Sequence, residues 1–152
     1  MTRVGVISDT HGLLRPEAVA ALAGVDHILH AGDVGARDIL DRLREIAPVT
    51  AIRGNIDRSG PCAKLPATEF VTLADTHLYI VHDIADLDLN PEAAGVAAVI
   101  YGHSHKSAME WRRGVLFFNP GAAGPRRFSL PVTVGVLTLG EGRVEPTIIQ
   151  LV

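Results

Sequence analysis

Runs of apolar residues, each cut short by Asp, His, Asn or Gly, set the rhythm of this chain. In VGVI at 4–7 the β-branched Val and Ile favour an extended backbone, so Arg3–Ser8 is predicted as a buried strand. Asp9-Thr10-His11-Gly12 follows where that strand should end. Arg15–Ala23 reads as a short helix, with Pro16 in its first turn, Val19, Leu22 and Ala23 as an apolar stripe, and Gly24 closing it. A second strand is predicted at Val25–His30, running into Ala31-Gly32-Asp33. Asp38–Ile46 carries apolar residues at 39, 40, 43 and 46, an amphipathic helix stopped by Pro48. Val49–Arg53 is a third strand, ended by Gly54-Asn55-Ile56-Asp57. Strands alternating with helices imply a parallel sheet with right-handed crossovers.

The pattern then changes. After a loop at Arg58–Pro66, Glu69–Leu73 and His77–Val81 read as a hairpin about Ala74-Asp75, ending in His82-Asp83. Asp86–Ala94 is polar and should hold one or two helical turns. Val96–Tyr101 is another buried strand, leading into Gly102-His103-Ser104-His105. Ala108–Arg112 and Val115–Asn119 form a second hairpin, and Val132–Leu139 with Val144–Leu151 a third, after a Gly/Pro-rich loop at Pro120–Pro131. The expectation is a single α/β domain over residues 1–152 whose second half is mainly antiparallel.

Composition narrows the function. With 152 residues, 47% apolar and 20% charged, the chain has the make-up of an ordinary globular protein. A formal net charge of -3 gives no global basic field, so neither nucleic acid nor membrane binding is indicated. The single Cys62 excludes an internal disulfide framework and a Cys-rich zinc site. No charged leader precedes the first strand and no apolar run reaches the ~18 residues of a membrane span, so the expected location is cytoplasmic. Histidine is the unusual component: of seven, His11, His82, His103 and His105 stand beside Asp, Gly or Ser at the ends of apolar runs.

In an α/β sheet, ligands bind at the carboxyl ends of the strands. Five strand ends here deliver Asp9 and His11, Asp33, Asn55, His82, and His103 and His105. These are oxygen and nitrogen donors throughout, too many for one ion, and with one carboxylate shared they serve two ions with four donors each. Asp33 is the candidate bridge, because Gly32 lets its loop approach closely. Two ions ~3.5–4 Å apart polarise a phosphoryl group and lower the pKa of bound water towards ~7. A mixed oxygen and nitrogen set without thiolate suits manganese, iron, nickel or zinc and disfavours calcium. Each ligating imidazole should give its other ring N–H to a carbonyl or carboxylate. Outside this set, Asp57 is expected to support its own loop, and His30 to lie buried beside the site. Asn119-Pro120-Gly121 should be a tight turn that buttresses the site, and Arg126 and Arg127 should sit in a solvated loop or a structural ion pair in preference to contacting substrate phosphate.

Asp9-x-His11, Gly32-Asp33, Gly54-Asn55-x-Asp57, His82 and Gly102-His103-Ser104-His105 together resemble the five signature motifs of the calcineurin-like metallophosphoesterases. Size and the Asn119-Pro120-Gly121 segment are similar to the small single-domain prokaryotic phosphodiesterases of that superfamily. The resemblance implies a four-layer α-β-β-α sandwich with mixed sheets and a dinuclear site at one edge. By position, one ion would take Asp9, His11, Asp33 and His105, and the other Asp33, Asn55, His82 and His103. It further implies a small-molecule phosphodiester substrate and two divalent transition ions, manganese first. A metal-bridging hydroxide would be the nucleophile, with His103 and then Asn55 as the groups that meet the phosphoryl oxygens. A homo-oligomer is possible on this reading, because the last hairpin has an edge to pair.

The chain departs from the family pattern twice. Ile56 stands where many members have His, a group that helps protonate the leaving oxygen; general acid catalysis is worth ~10²–10⁴-fold, so good leaving groups should be favoured. Asp83 stands where Gly is usual, and either orients His82 or points away. Two rival readings are a metal-binding interaction scaffold of the same fold with little or no catalysis, and a mononuclear hydrolase of esters or amides. Intactness of all seven donor positions speaks against the scaffold.

Overall fold

The computed structural model describes residues 1–152. Its strands are β1 (Thr2–Ile7), β2 (His27–His30), β3 (Val49–Ala51), β4 (Thr68–Leu73), β5 (Thr76–Val81), β6 (Ala98–Ile100), β7 (Ala108–Arg112), β8 (Val115–Asn119), β9 (Thr133–Gly140) and β10 (Arg143–Gln150). Two helices, α1 (Pro16–Ala21) and α2 (Arg37–Arg44), fill the crossovers β1–β2 and β2–β3. One sheet has the order β10-β9-β1-β2-β3, the other β4-β5-β6-β8-β7. β1, β2 and β3 are mutually parallel, with β9 and β10 added antiparallel. In the second sheet β5, β6 and β8 run parallel, and β4 and β7 close its two edges antiparallel.

Side chains alternate across each strand, and both faces of both sheets find apolar cover. Val4 and Val6 of β1 meet Leu78 and Ile80 of β5, Ile100 of β6 and Phe118 of β8 between the sheets. Ile7 turns the other way, toward Ala18 and Leu22 of the first helical segment and Ile39, Leu40 and Leu43 of α2. On the far face of the second sheet, Tyr79, Val81, Val99 and Phe117 are capped by Ile84, Leu87 and Leu89. The layers are therefore helix, sheet, sheet and a thin outer cover, whose regular part is a 3₁₀ turn at Ile84–Asp86. This is the expected α/β sandwich of mixed sheets.

Differences from the sequence reading fall at element ends. Ser8 leaves β1 at once, and β3 and β6 keep only three residues each. In the loop expected at Arg58–Pro66, Pro61 starts a 3₁₀ turn, Pro61–Lys64. The helical turn expected within Asp86–Ala94 is present, the Ala94 N–H donating to Asn90 O at 3.0 Å, and an additional 3₁₀ turn begins at Ile84, where the Asp83 side chain accepts the Ala85 N–H at 3.0 Å. No helix of the chain is long and apolar enough to cross a membrane.

Candidate metal centre

The loops after β1, β2, β3, β5 and β6 meet at one edge of the sandwich, held by backbone bonds that pass from loop to loop. The Asp9 N–H donates to Gly32 O (3.0 Å), His11 N–H to Asp33 O (2.9 Å) and Gly102 N–H to His82 O (2.9 Å). Close approach demands missing side chains. A Cβ on Gly54 would strike the Asp33 carboxylate and backbone N, and one on Gly102 the Ser8 hydroxyl and Asp9 carboxylate. These two glycines are therefore needed for space and not for left-handed backbone, which neither adopts. The left-handed conformation falls on the polar residues instead: Asp9, His11, Asp33, His103 and His105 have φ between +47° and +73°. Asp and His tolerate that region better than most residues, yet it remains strained, as backbone at functional sites often is.

All seven expected donors come together. Asp9 Oδ2 accepts the Ser8 hydroxyl (2.8 Å) and the His103 N–H (3.0 Å). Its other oxygen, Oδ1, is fully buried with no hydrogen-bond partner. Around it stand three imidazole Nε2 atoms, from His105 at 3.6 Å and from His11 and His82 at 3.8 Å each. His11 Nε2 and His105 Nε2 are 3.2 Å apart. Asp33 Oδ1 accepts the Ile56 N–H (3.0 Å), leaving Oδ2 facing His82 Nε2 (3.3 Å) and His11 Nε2 (3.5 Å). His82 Nδ1 donates to Ala31 O at 2.7 Å, so Nε2 is a bare lone pair when the ring is neutral and donates to Asp33 when it is charged. Asn55 Oδ1 lies 3.0 Å from that nitrogen and 3.3 Å from His103 Nδ1.

An orphaned carboxylate oxygen ringed by imidazole nitrogens fits a divalent cation. Ligand atoms at ~2.0–2.2 Å from an ion lie about 3.0–3.5 Å from one another, close to the separations found here. Two groups could each hold an ion: Asp9, His11 and His105, and Asp9, Asp33 and His82. The Asn55 amide lies against Asp33, His82 and His103; its NH₂ placed inward donates to Asp33 Oδ2 at 2.9 Å, and its oxygen placed inward would be a metal ligand. Burial alone would raise the Asp33 carboxyl, but hydrogen bonds from His82 and the Ile56 N–H outweigh it and hold it at about 2. Burial likewise opposes the charged form of His82, while Asp33, the Ala31 carbonyl and Asp9 together raise it. Burial pushes His105 down, with Arg127 acting in the same sense against Asp9.

The surrounding shell follows the expectations in part. Asp57 does support its loop, accepting the N–H groups of Gly54 (2.9 Å), Val34 (3.0 Å) and Gly35 (3.1 Å). Asn119 buttresses the histidine loop through Gly102 O (3.1 Å) and Ser104 Oγ (3.2 Å). His30 is fully buried between Thr10 Oγ1 (3.0 Å) and the Gly32 N–H (3.1 Å), and burial lowers it to about 4. Arg126 points to the carbonyl of Val152. Only His82 meets the expectation of a carbonyl for its second nitrogen; His105 Nδ1 is buried without any partner. Asp83 turns to His103, not to His82 (Nε2–Oδ2 3.7 Å). Ser8 and Thr10 escaped the sequence reading; the signal for both was a polar residue alternating with Asp9 in a buried stretch. Beside Asn55, His82 and His103 opens a cleft of about 410 Å³, lined also by Arg53, Asp83, Asp86 and Asp88.

Residues 2–142 match the calcineurin-like phosphoesterase superfamily domain, and the chain belongs to that superfamily. A probable metallophosphoesterase of Methanocaldococcus jannaschii is 36% identical over 132 residues, covering 78% of this chain and 67% of the relative. Phosphodiesterase YfcE of Escherichia coli is 29% identical over 161 residues, covering 90% and 88%. Vacuolar protein sorting 29 of Cryptosporidium parvum shares the fold with a TM-score of 0.77 at 18% identity, over 98% of this chain and 97% of its own. The chain is thus a metallophosphoesterase by family, with residues able to hold metal at the expected edge.

Proposed function

We propose that this protein is a phosphodiesterase that works with two divalent transition ions, manganese first among them. The observation that carries the proposal is the buried, unpartnered Asp9 Oδ1 among three imidazole nitrogens. One ion would be held by Asp9, His11, Asp33 and His105, the other by Asp33, Asn55, His82 and His103. Asp33 would be shared in this reading, because its Oδ2 is nearer than Asp9 Oδ1 to both His11 and His82. When bound, such a pair supplies hydroxide at neutral pH and draws charge from the phosphoryl oxygens.

The chain's own groups orient the substrate. Among the four imidazoles His103 is the most exposed, 45% at its side chain, and it borders the cleft. Through its Nε2–H, on the side of the cleft and not hydrogen-bonded at 3.7 Å from Asp83, His103 meets the phosphoryl oxygens as charge develops, and Asn55 is the second group to do so. Position 56 supplies no proton to the leaving oxygen, since it is Ile, so esters of acidic alcohols should react best. A small phosphodiester is the substrate class, a reading supported by the similarity to phosphodiesterase YfcE.

The test is hydrolysis of bis-p-nitrophenyl phosphate by metal-stripped protein, with Mn²⁺, Ni²⁺, Zn²⁺ or Mg²⁺ restored separately. Turnover that needs the ion and is lost in His103→Ala is the expected result. Two ions bound per chain with no turnover of any phosphodiester would favour the scaffold reading, and one tightly bound ion the mononuclear one.

A further inference from the structure

We propose that Asp83 is a positioning residue for His103: its carboxylate keeps the imidazole proton on Nε2, the nitrogen on the cleft side, and so presents the Nδ1 lone pair to the side of Asn55. The inference rests on the reading of His103 as a metal ligand. His82 and Asp83 follow β5 directly, and Asp83 keeps an extended backbone, so their side chains leave on opposite sides. His82 turns inward to Ala31 and Asp33, which leaves Asp83 on the wall of the cleft.

Asp83 is held in a fixed pose. Its Oδ1 caps the 3₁₀ turn through the Ala85 N–H at 3.0 Å, which leaves Oδ2 free to face His103 Nε2 at 3.7 Å. Closing that separation to a hydrogen bond needs about 0.8 Å of movement. His103 is tied at its backbone, where its N–H donates to Asp9 Oδ2 and its φ is +73°. Its ring meets His82 edge-on, with 5.3 Å between centroids. The remaining freedom is which nitrogen carries the proton, and for a half-exposed imidazole both forms are accessible. His82 has that choice made by the Ala31 carbonyl; for His103 no backbone carbonyl is in place, and the Asp83 carboxylate takes the role. Carboxylates placed behind ligating imidazoles fix the tautomer and raise metal affinity.

The experiment uses the full chain loaded with zinc, a diamagnetic ion, and reads the His103 ring nitrogens by ¹⁵N NMR. Zinc retention is measured in parallel by competition with a chromophoric chelator. Asp83→Ser is the variant of choice, because serine still caps Ala85 but is too short to reach His103. We expect wild-type His103 to be protonated on Nε2 and bare on Nδ1. In the variant one of two zinc ions should be held about 10–100-fold more weakly while the other is unchanged. Wild-type protonation on Nδ1, or a variant that holds both ions as tightly as wild type, overturns the proposal. Neither readout involves turnover. A chain that hydrolyses no phosphodiester yet gives these signals loses the catalytic reading and keeps the role of Asp83.

Discussion

His82 Nδ1 donates to the carbonyl oxygen of Ala31 at 2.7 Å, joining the end of β5 in one sheet to the end of β2 in the other. The bond does two things at once. It pins the sheets together at the edge where the loops converge, and in the neutral ring it leaves Nε2 as the free nitrogen beside Asp33. The contact that closes the sandwich therefore also selects the form of the imidazole that a metal needs.

Asp9 gives the plainest trade between stability and chemistry. A buried acceptor without a partner costs about 1–3 kcal/mol, and more when charged. In the presence of chelator, Asp9→Asn should be as stable as wild type or more so in urea unfolding. Added Mn²⁺ at 100 times its Kd should stabilise wild type by about 2.7 kcal/mol and the variant far less. A variant weakened in chelator but fully stabilised by Mn²⁺ would show that Oδ1 does not need a cation.

Gly102 does not occupy left-handed backbone, so alanine is tolerated there by φ and opposed by contact alone. Its Cβ would displace the Ser8 hydroxyl and the Asp9 carboxylate. Gly102→Ala should lose about 10²-fold in kcat/KM through misplacement of Asp9. Overpacking should cost about 1–3 kcal/mol, seen as a lower unfolding midpoint. Undiminished turnover would mean that the loops need not approach so closely.

His30 links pH to stability. The Thr10 hydroxyl donates to Val34 O, so it accepts from His30 Nε2–H, while Nδ1 accepts the Gly32 N–H; the neutral ring satisfies both. With the folded value lowered from 6.5 to about 4, the unfolded chain takes up the proton first as pH falls. The contribution is complete above pH 6.5 and is lost on the way down to about 4, an order of 3 kcal/mol in all. His30→Ala should be less stable at pH 7.5 and should show a shallower pH slope across that window, measured by urea unfolding in chelator. Parallel slopes would rule His30 out as the group responsible.

Asp57 ties the Asn55 loop to the Asp33 loop through three N–H groups. Removing its carboxylate in Asp57→Ala leaves those donors facing a void. A loss of about 2–4 kcal/mol is expected, together with weaker retention of metal on the Asn55 side. Chemical unfolding and metal analysis after dialysis check the two parts separately.

Much of this protein was determined by its sequence alone. Apolar, β-branched runs bounded by turn residues located all ten strands, because burial leaves a local mark. The seven polar residues at strand ends were legible for the same reason: Asp, His and Asn after a buried run have few structural excuses. Tertiary structure decided the rest. His11 and His105 lie 94 residues apart in the chain and 3.2 Å apart in space, a distance that no local pattern encodes. Nor does any local pattern state that Asp83 faces His103, that Asp9 keeps one oxygen unpaired, or that five site residues adopt left-handed backbone. These follow from loops of two sheets being forced into one small volume, where steric exclusion and hydrogen-bond supply are settled between distant segments.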